Sequence, residues 1–149
     1  MTESSIEGRA TDSAAAHAAE HARQYLASDG AQVDHPAAGN LILLYTKGRS
    51  SGEIRRTPVR FFEVGDDLLV AASYRGSPHH PDWYLNLVAD RRVWVRRDAR
   101  FYPATAVTID GAERDRLWES VVVPRAPQFA DYQASTVRVI PLVRLIEAG

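Results

Sequence analysis

Between Leu41 and Ala72 the chain alternates short apolar runs with turn residues, and this cadence restricts the fold more than any other feature. Leu41 to Thr46 is an apolar run of the kind found in a buried strand. Lys47 to Gly52 reads as a turn, and Glu53 to Val64 carries the β-branched and aromatic residues of a second strand. Gly65-Asp66-Asp67 is the next turn, and Leu68 to Ala72 is a third strand. Val93 to Arg97 and Arg100 to Ile109 follow as a hairpin, and Val137 to Ile146 reads as a last strand. About six strands in meander order result. Strands at this spacing, joined by short turns, point to a barrel or a tightly curled antiparallel sheet rather than a doubly wound fold. The class is mainly β with flanking helices, α+β.

The helices are expected outside that sheet. Ser13 to Ala27 is Ala-rich, has no Gly or Pro, and ends at Ser28-Asp29-Gly30. Pro81 suits the first turn of a helix running to about Ala89. Asp110 can cap a helix from Gly111 to Val123, with Glu113 completing a capping box, and Pro124 and Pro127 break it. Phe129 to Thr136 is a further short helix. Residues 1–12 are polar and expected to be disordered, leaving 13–149 as one domain. Within that segment Ile6-Glu7-Gly8-Arg9 spells a common protease-cleavage tag, though it is equally compatible with a native sequence.

Composition removes several function classes. A formal net charge of −1 argues against a general nucleic-acid binder or a polybasic membrane protein. The absence of cysteine excludes disulfides, thiolate catalysis and Cys-based metal sites. No apolar run approaches the roughly 20 residues that span a bilayer, and no secretory signal is recognisable, so the cytoplasm is the expected location.

Several motifs need weighing against plainer readings. Gly48-Arg49-Ser50-Ser51-Gly52 fits the G-x-S-x-G pattern, but a nucleophile elbow needs a helix after it and here a strand follows. A turn of small residues that exposes backbone N–H groups beside arginines makes an anion nest instead. Along a strand Arg55 and Thr57 share one face while Arg56 and Pro58 share the other, so one arginine points at the site. Arg55 is chosen, and Arg56 is assigned to a solvated face. His17-Ala18-Ala19-Glu20-His21 fits the inverted zincin pattern but lacks a third ligand, so no metal site is assigned. His79-His80-Pro81-Asp82-Trp83 reads as a loop entering a helix, and the basic run from Arg91 to Arg100 around Trp94 reads as a half-buried strand with a solvated face.

Four segments in order resemble the deazaflavin-dependent nitroreductase family: Leu43 to Pro58, Ala71 to Leu87, Phe129 to Gln133 and Arg138 to Val143. The resemblance spans about Tyr25 to Ile146 and implies a split β-barrel, flavin-reductase-like, that binds the deazaflavin coenzyme F-420 (8-hydroxy-5-deazaflavin), with FMN as the alternative cofactor. Under it Lys47, Arg49, Ser50, Ser51, Gly52 and Arg55 would hold the phosphate of the acidic tail. Ser73, Tyr74, Arg75 and Gly76, with Trp83 at the start of the next helix, would line the ring. Phe129 and Tyr132 would cover the substrate side, and Tyr132 or solvent would supply a proton. The activity implied is hydride transfer between reduced deazaflavin and a small planar electron-poor molecule such as a quinone, an enone or a nitroaromatic. Because such a cofactor carries the hydride, the protein needs no acid–base pair of its own. The alternatives are a non-catalytic binding protein for a cofactor or small ligand, or a cofactor-free biosynthetic enzyme on the same barrel. A split barrel is often a homodimer, and the sequence marks no interface.

The chain departs from the family pattern at several positions. Ser50 stands where lysine is usual, Arg75-Gly76 where Gly-Gly is usual, and His79 where Lys or Arg is common. Ala126 and Phe129 stand where tyrosines are frequent.

Overall fold

The computed structural model describes residues 3–13 and 16–148. Its elements are α1 (Glu3–Arg9), β1 (Thr11–Asp12), α2 (Ala16–Ser28), β2 (Leu41–Lys47), β3 (Ile54–Arg60), β4 (Phe62–Val64), β5 (Asp67–Ala71), a 3₁₀ turn (Tyr74–Gly76), α3 (Asp82–Ala89), β6 (Arg92–Arg97) and β7 (Arg100–Ile109). The chain continues with α4 (Gly111–Leu117), a π-helical turn (Trp118–Val122), α5 (Val123–Arg125), α6 (Gln128–Ala134) and β8 (Leu142–Glu147).

The strands form one sheet of eight, in the order β1-β3-β2-β6-β7-β8-β5-β4. All ladders but β1–β3 are antiparallel. The count exceeds the expected six or so for two reasons. The two-residue β1 adds an edge, and the expected single strand Glu53–Val64 is divided at Phe61. That division sets the sheet's shape. β3 pairs with β2, whereas β4, a single residue further along, pairs with β5 at the far end of the sheet. A chain that crosses from the second strand to the last within one residue forces the sheet to curl. At the crossing the Phe61 N–H donates to Asn40 O (2.9 Å), and the Phe61 ring turns into the concave side.

Three apolar clusters follow from the curl. Inside it lie Ile42, Leu44, Val70, Val93, Val95 and Val143, closed off by Leu87 of α3. On one outer face Leu43 and Tyr45 pack beneath Tyr25 and Ala22 of α2 and Ile6 of α1. On the other, Phe62, Leu69 and Leu142 pack beneath Trp118, Val122 and Phe129. β2 is buried from Leu41 to Thr46 because both of its faces are covered, which is why it reads as a continuous apolar run.

Several expectations are corrected. Residues 3–12, expected to be disordered, form α1 and β1. Ile6 is buried, Glu7 pairs with Arg96 (2.7 Å), and Asp12 pairs with Arg56 (2.5 Å), so a polar stretch is anchored through residues remote in sequence. Asp110 forms no side-chain cap on α4, so the capping box is not made. Helical structure continues past Val123 to Arg125: Pro124 falls in the first turn of α5, where it needs no N–H, after a π-helical turn. The last strand begins at Leu142 instead of Val137, and Val137 is fully exposed.

If α1 is part of the folded unit, Ile6→Ala will cost roughly 2 kcal/mol, the low end for a buried isoleucine. A denaturant midpoint equal to that of the parent protein would show that α1 contributes nothing.

Candidate functional site

The turn between β2 and β3 is built by short-range hydrogen bonds. Gly48 N–H donates to Glu53 O (2.7 Å), Gly52 N–H to Gly48 O (2.8 Å) and Glu53 N–H to Ser51 Oγ (3.1 Å). Gly52 has φ +74°, a conformation that favours glycine. Among the described residues, the N–H groups of Ser50 and Ser51 have no partner, and both residues are exposed. Two unpartnered donors on adjacent small residues are what an anion nest requires.

The cations around the turn differ in how they are held. Arg49 is tied to α3: Nη1 donates to Asn86 Oδ1 (2.9 Å), Nη2 reaches Asp82 Oδ1 (3.1 Å), and its backbone N–H also donates to Asn86 Oδ1 (3.2 Å). Asn86 is buried and donates from Nδ2 to Thr46 Oγ1 (3.2 Å), so one amide fixes the turn to the strand and the helix. Lys47 is exposed. Arg55 is exposed, pairs with Glu53 (3.1 Å) and donates to Thr11 Oγ1 (3.0 Å). It lies opposite Thr46, on the strand face that continues to Val59 and the inner cluster. Arg56 lies on the other face, as alternation requires. It is not solvated, however: its bond to Asp12 (2.5 Å), reinforced by charge attraction, raises its pKa against the effect of burial.

The second group of residues surrounds the 3₁₀ turn. Tyr74, Arg75 and Gly76 have φ of +44°, +53° and +82°, a run of left-handed residues that only glycine adopts without strain. Gly76 packs against α6, and a Cβ there would stand 2.8 Å from Tyr132 O. Arg138 holds this segment. Its guanidinium donates to Ser77 O (2.8 Å), Ala72 O (3.1 Å) and Ser73 O (2.8 Å), and Nη1 donates to His80 Nδ1 (3.1 Å). Sequence reasoning gives Arg138 no role. Its partners are mostly carbonyl oxygens, which leave no trace in side-chain identity.

The structure therefore joins the two groups through α3. Arg49 grips the helix at Asp82 and Asn86, and Arg138 grips His80 just before it. Trp83 and Tyr84 on the same helix pack against the inner cluster. Among the described residues no hydrogen bond links the Gly48–Gly52 turn directly to Ser73–Gly76. Tyr132 is half-buried on α6, with its ring edge-on to Phe129 (5.3 Å). Phe129 itself is only 7% exposed, wedged against Phe62 and Trp118, so it serves the outer core and offers little surface to a substrate. In the His17–His21 motif, Glu20 is committed to Arg23 (2.5 Å), whose hydrogen bond holds the carboxyl well below its ordinary value, at about 2.

Comparison with known proteins decides the family. Residues 17–147 match the F420H(2)-dependent quinone reductase family. The chain belongs to that family. A Mycobacterium tuberculosis F420H(2)-dependent quinone reductase is 34% identical over 112 residues, covering 74% of this chain and 75% of the relative. Among solved structures, an F420-H2-dependent reductase (FDR-A) is 34% identical with a TM-score of 0.64, over 71% of this chain and 93% of its own. A second, described as a domain-swapped dimer, is 31% identical with a TM-score of 0.66, over 85% and 92%. The haem-storage protein HutZ of Vibrio cholerae, at 16% identity and a TM-score of 0.52, shares the fold.

Against the family pattern, the unusual Arg75 now has a physical reading. It stands where glycine is usual, in a left-handed conformation that costs a non-glycine residue about 1–2 kcal/mol. The bonds from Arg138 to the carbonyls on either side offset that cost.

His80 makes this clamp sensitive to acid. Burial, with the Arg138 charge second, lowers its pKa below the ordinary 6.5, and burial lowers that of His35 likewise. The unfolded chain then binds more protons, so stability is complete above pH 6.5 and is lost as pH falls from there toward the folded values. Unfolding free energy should therefore drop as pH falls below about 7, and His80→Gln should remove part of that drop. An identical pH slope in the variant would mean that His80 does not titrate against Arg138.

Proposed function

We propose that this protein is an F420H(2)-dependent reductase that passes a hydride from reduced deazaflavin to a quinone-like acceptor. The observation that carries the reading is the Gly48–Gly52 turn, with two unpartnered N–H donors beside Lys47, Arg49 and Arg55, in a chain of this family. The donor set fits an acidic tail: it is cationic, exposed and made for oxyanions. The apolar flank of α3, Trp83 and Tyr84 against the inner cluster, fits a planar ring. Reduced deazaflavin, when bound, supplies the hydride.

The chain's own residues bind and orient. Ser50 and Ser51 N–H and the Arg55 guanidinium take the tail phosphate, with Lys47 adding charge. Arg49 holds the turn against α3 and shares its remaining donors with the tail. Ser73 to Gly76, kept in shape by Arg138, form the edge that faces the ring, and Tyr74, which is 59% exposed, covers it. A hydride acceptor also needs a proton, and the phenol of Tyr132, on the helix α6 whose backbone packs against Gly76, is the group assigned to deliver one. The curled sheet, β1 included, is read as a split β-barrel, the working state as a homodimer in the cytoplasm. The dimer rests on the domain-swapped relative, and no helix of the described residues is long and apolar enough to cross a membrane.

Titration with oxidised coenzyme F-420, followed by fluorescence, tests the cofactor assignment. Saturable binding is expected, and Arg55→Ala should weaken it roughly ten- to a hundredfold, the loss of one charge-assisted hydrogen bond. Binding of FMN in place of coenzyme F-420, or of neither, would sink the assignment. Quinone turnover with the reduced cofactor separates a reductase from a carrier. For the proton, Tyr132→Phe should lower turnover and alter its pH profile with cofactor affinity unchanged; a profile that superimposes on the parent's would return the role to solvent.

A further inference from the structure

A second cationic site lies at the opposite end of β3. Arg60 is five residues along the strand from Arg55, roughly 16 Å away, and points to the outer face with Leu41. There Arg60, Arg97 and Arg125 line an open cavity of about 520 Å³ together with Asn40, Phe61 and Glu63. It sits where the outer cover of β2 and β3 gives way to that of β4 and β5, on the seam made by the crossing at Phe61.

The cavity's polar groups are unevenly satisfied. Arg97 pairs with the Glu63 carboxylate and stacks on Phe61, 4.6 Å from the ring centre. Arg125 Nη1 donates to Glu63 O (2.8 Å). Arg60 stacks over Phe62 at 5.1 Å and has one long bond, Nη2 to Arg125 O (3.3 Å). Its Nε–H is buried and has no partner among the described residues. A buried donor without a partner is uncommon and calls for an explanation. Burial also lowers the Arg60 pKa, as expected of a cation stripped of water with no acid beside it.

Charge sets the class of ligand. Three guanidinium groups face one carboxylate, leaving a surplus of two positive charges. The aromatic rings occupy the faces of Arg60 and Arg97, and among the described residues Arg60 Nη1 makes no hydrogen bond, so that end of the fork is available to an oxyanion. We propose that this cavity is a second ligand site, separate from the cofactor turn, that binds a small organic dianion through its carboxylate or phosphate group, with Arg60 as the central ligand-binding residue.

Calorimetric titration of the full chain carrying Arg55→Ala, which disables the phosphate turn, with inorganic phosphate and, separately, with succinate tests this, with chloride at matched ionic strength as background. Saturable heat with either anion is expected, and which one gives it assigns the ligand to phosphate or carboxylate compounds. Arg60→Met and Arg125→Met should weaken binding at least ~tenfold, whereas Arg49→Met, at the cofactor turn, should leave it unchanged. No saturable heat with either anion overturns the proposal, as does heat that survives Arg60→Met or disappears in Arg49→Met. Should Arg60→Met fail to fold, the Arg60 Nε–H resonance in a ¹H–¹⁵N spectrum of the parent protein decides the same question: it moves on anion addition if the site exists, and a stationary resonance rejects it. None of these readouts requires coenzyme F-420, so the result is independent of the proposed reaction.

Discussion

The buried amide of Asn86 holds together the parts on which the candidate site depends. A buried amide must spend its hydrogen-bonding capacity internally. Asn86 donates to Thr46 within β2 and accepts from both the backbone and the side chain of Arg49 at the head of the turn. Strand, turn and helix are thereby set in one relation before any ligand arrives. Because α3 also closes the inner cluster through Leu87, the position of the turn is coupled to packing of the core. The exposed N–H groups of Ser50 and Ser51 are thus presented by a rigid frame, which lowers the ordering cost of binding.

In the segment that leads into α3 the same principle works through different chemistry. The backbone from Tyr74 to Gly76 is strained, and Arg138 supplies a compact set of donors that hold its carbonyls. Strained backbone persists only where its surroundings over-determine it. The helix α3 and the residues leading into it are therefore held by two guanidinium groups, one reaching in from the turn and the other from the segment before β8.

How much of this can be read from the sequence depends on the range of the interactions. The turn is legible because its shape follows from its own glycines and serines. The facing of Arg55 and Arg56 is legible because strand alternation is a local rule. The environment of Arg56 is not, because Asp12, its partner, lies in a segment whose polarity suggests disorder and whose order comes from contacts with Arg56, Arg96 and Tyr45. Phe129 is drawn toward the substrate side by its place in a family-like segment, while its burial against Phe62 and Trp118 is a property of the assembled outer face. The crossing at Phe61 is invisible for a similar reason. Nothing in Glu53–Val64 announces a division at Phe61, and the change of partner shows only in the pairing of β3 with β2 and of β4 with β5.

The distribution of ion pairs bears on the turn's readiness for an anion. Where arginines hold the fold together they are well covered: the side chains of Arg56 and Arg96 are 19% and 16% exposed, and their bonds to Asp12 and Glu7 are short. At the turn the pairs are open. Arg49 and Asp82 are 38% and 87% exposed, and Arg55 and Glu53 are 45% and 58% exposed. Exposed pairs contribute on the order of 0–1 kcal/mol, so exchanging a carboxylate for a phosphate there costs little, and the fold does not depend on either bond. Ser50, in place of a lysine, removes one charge from this arrangement. The remaining affinity must then come from backbone N–H groups and from guanidinium forks, which read the geometry of an oxyanion instead of its charge alone.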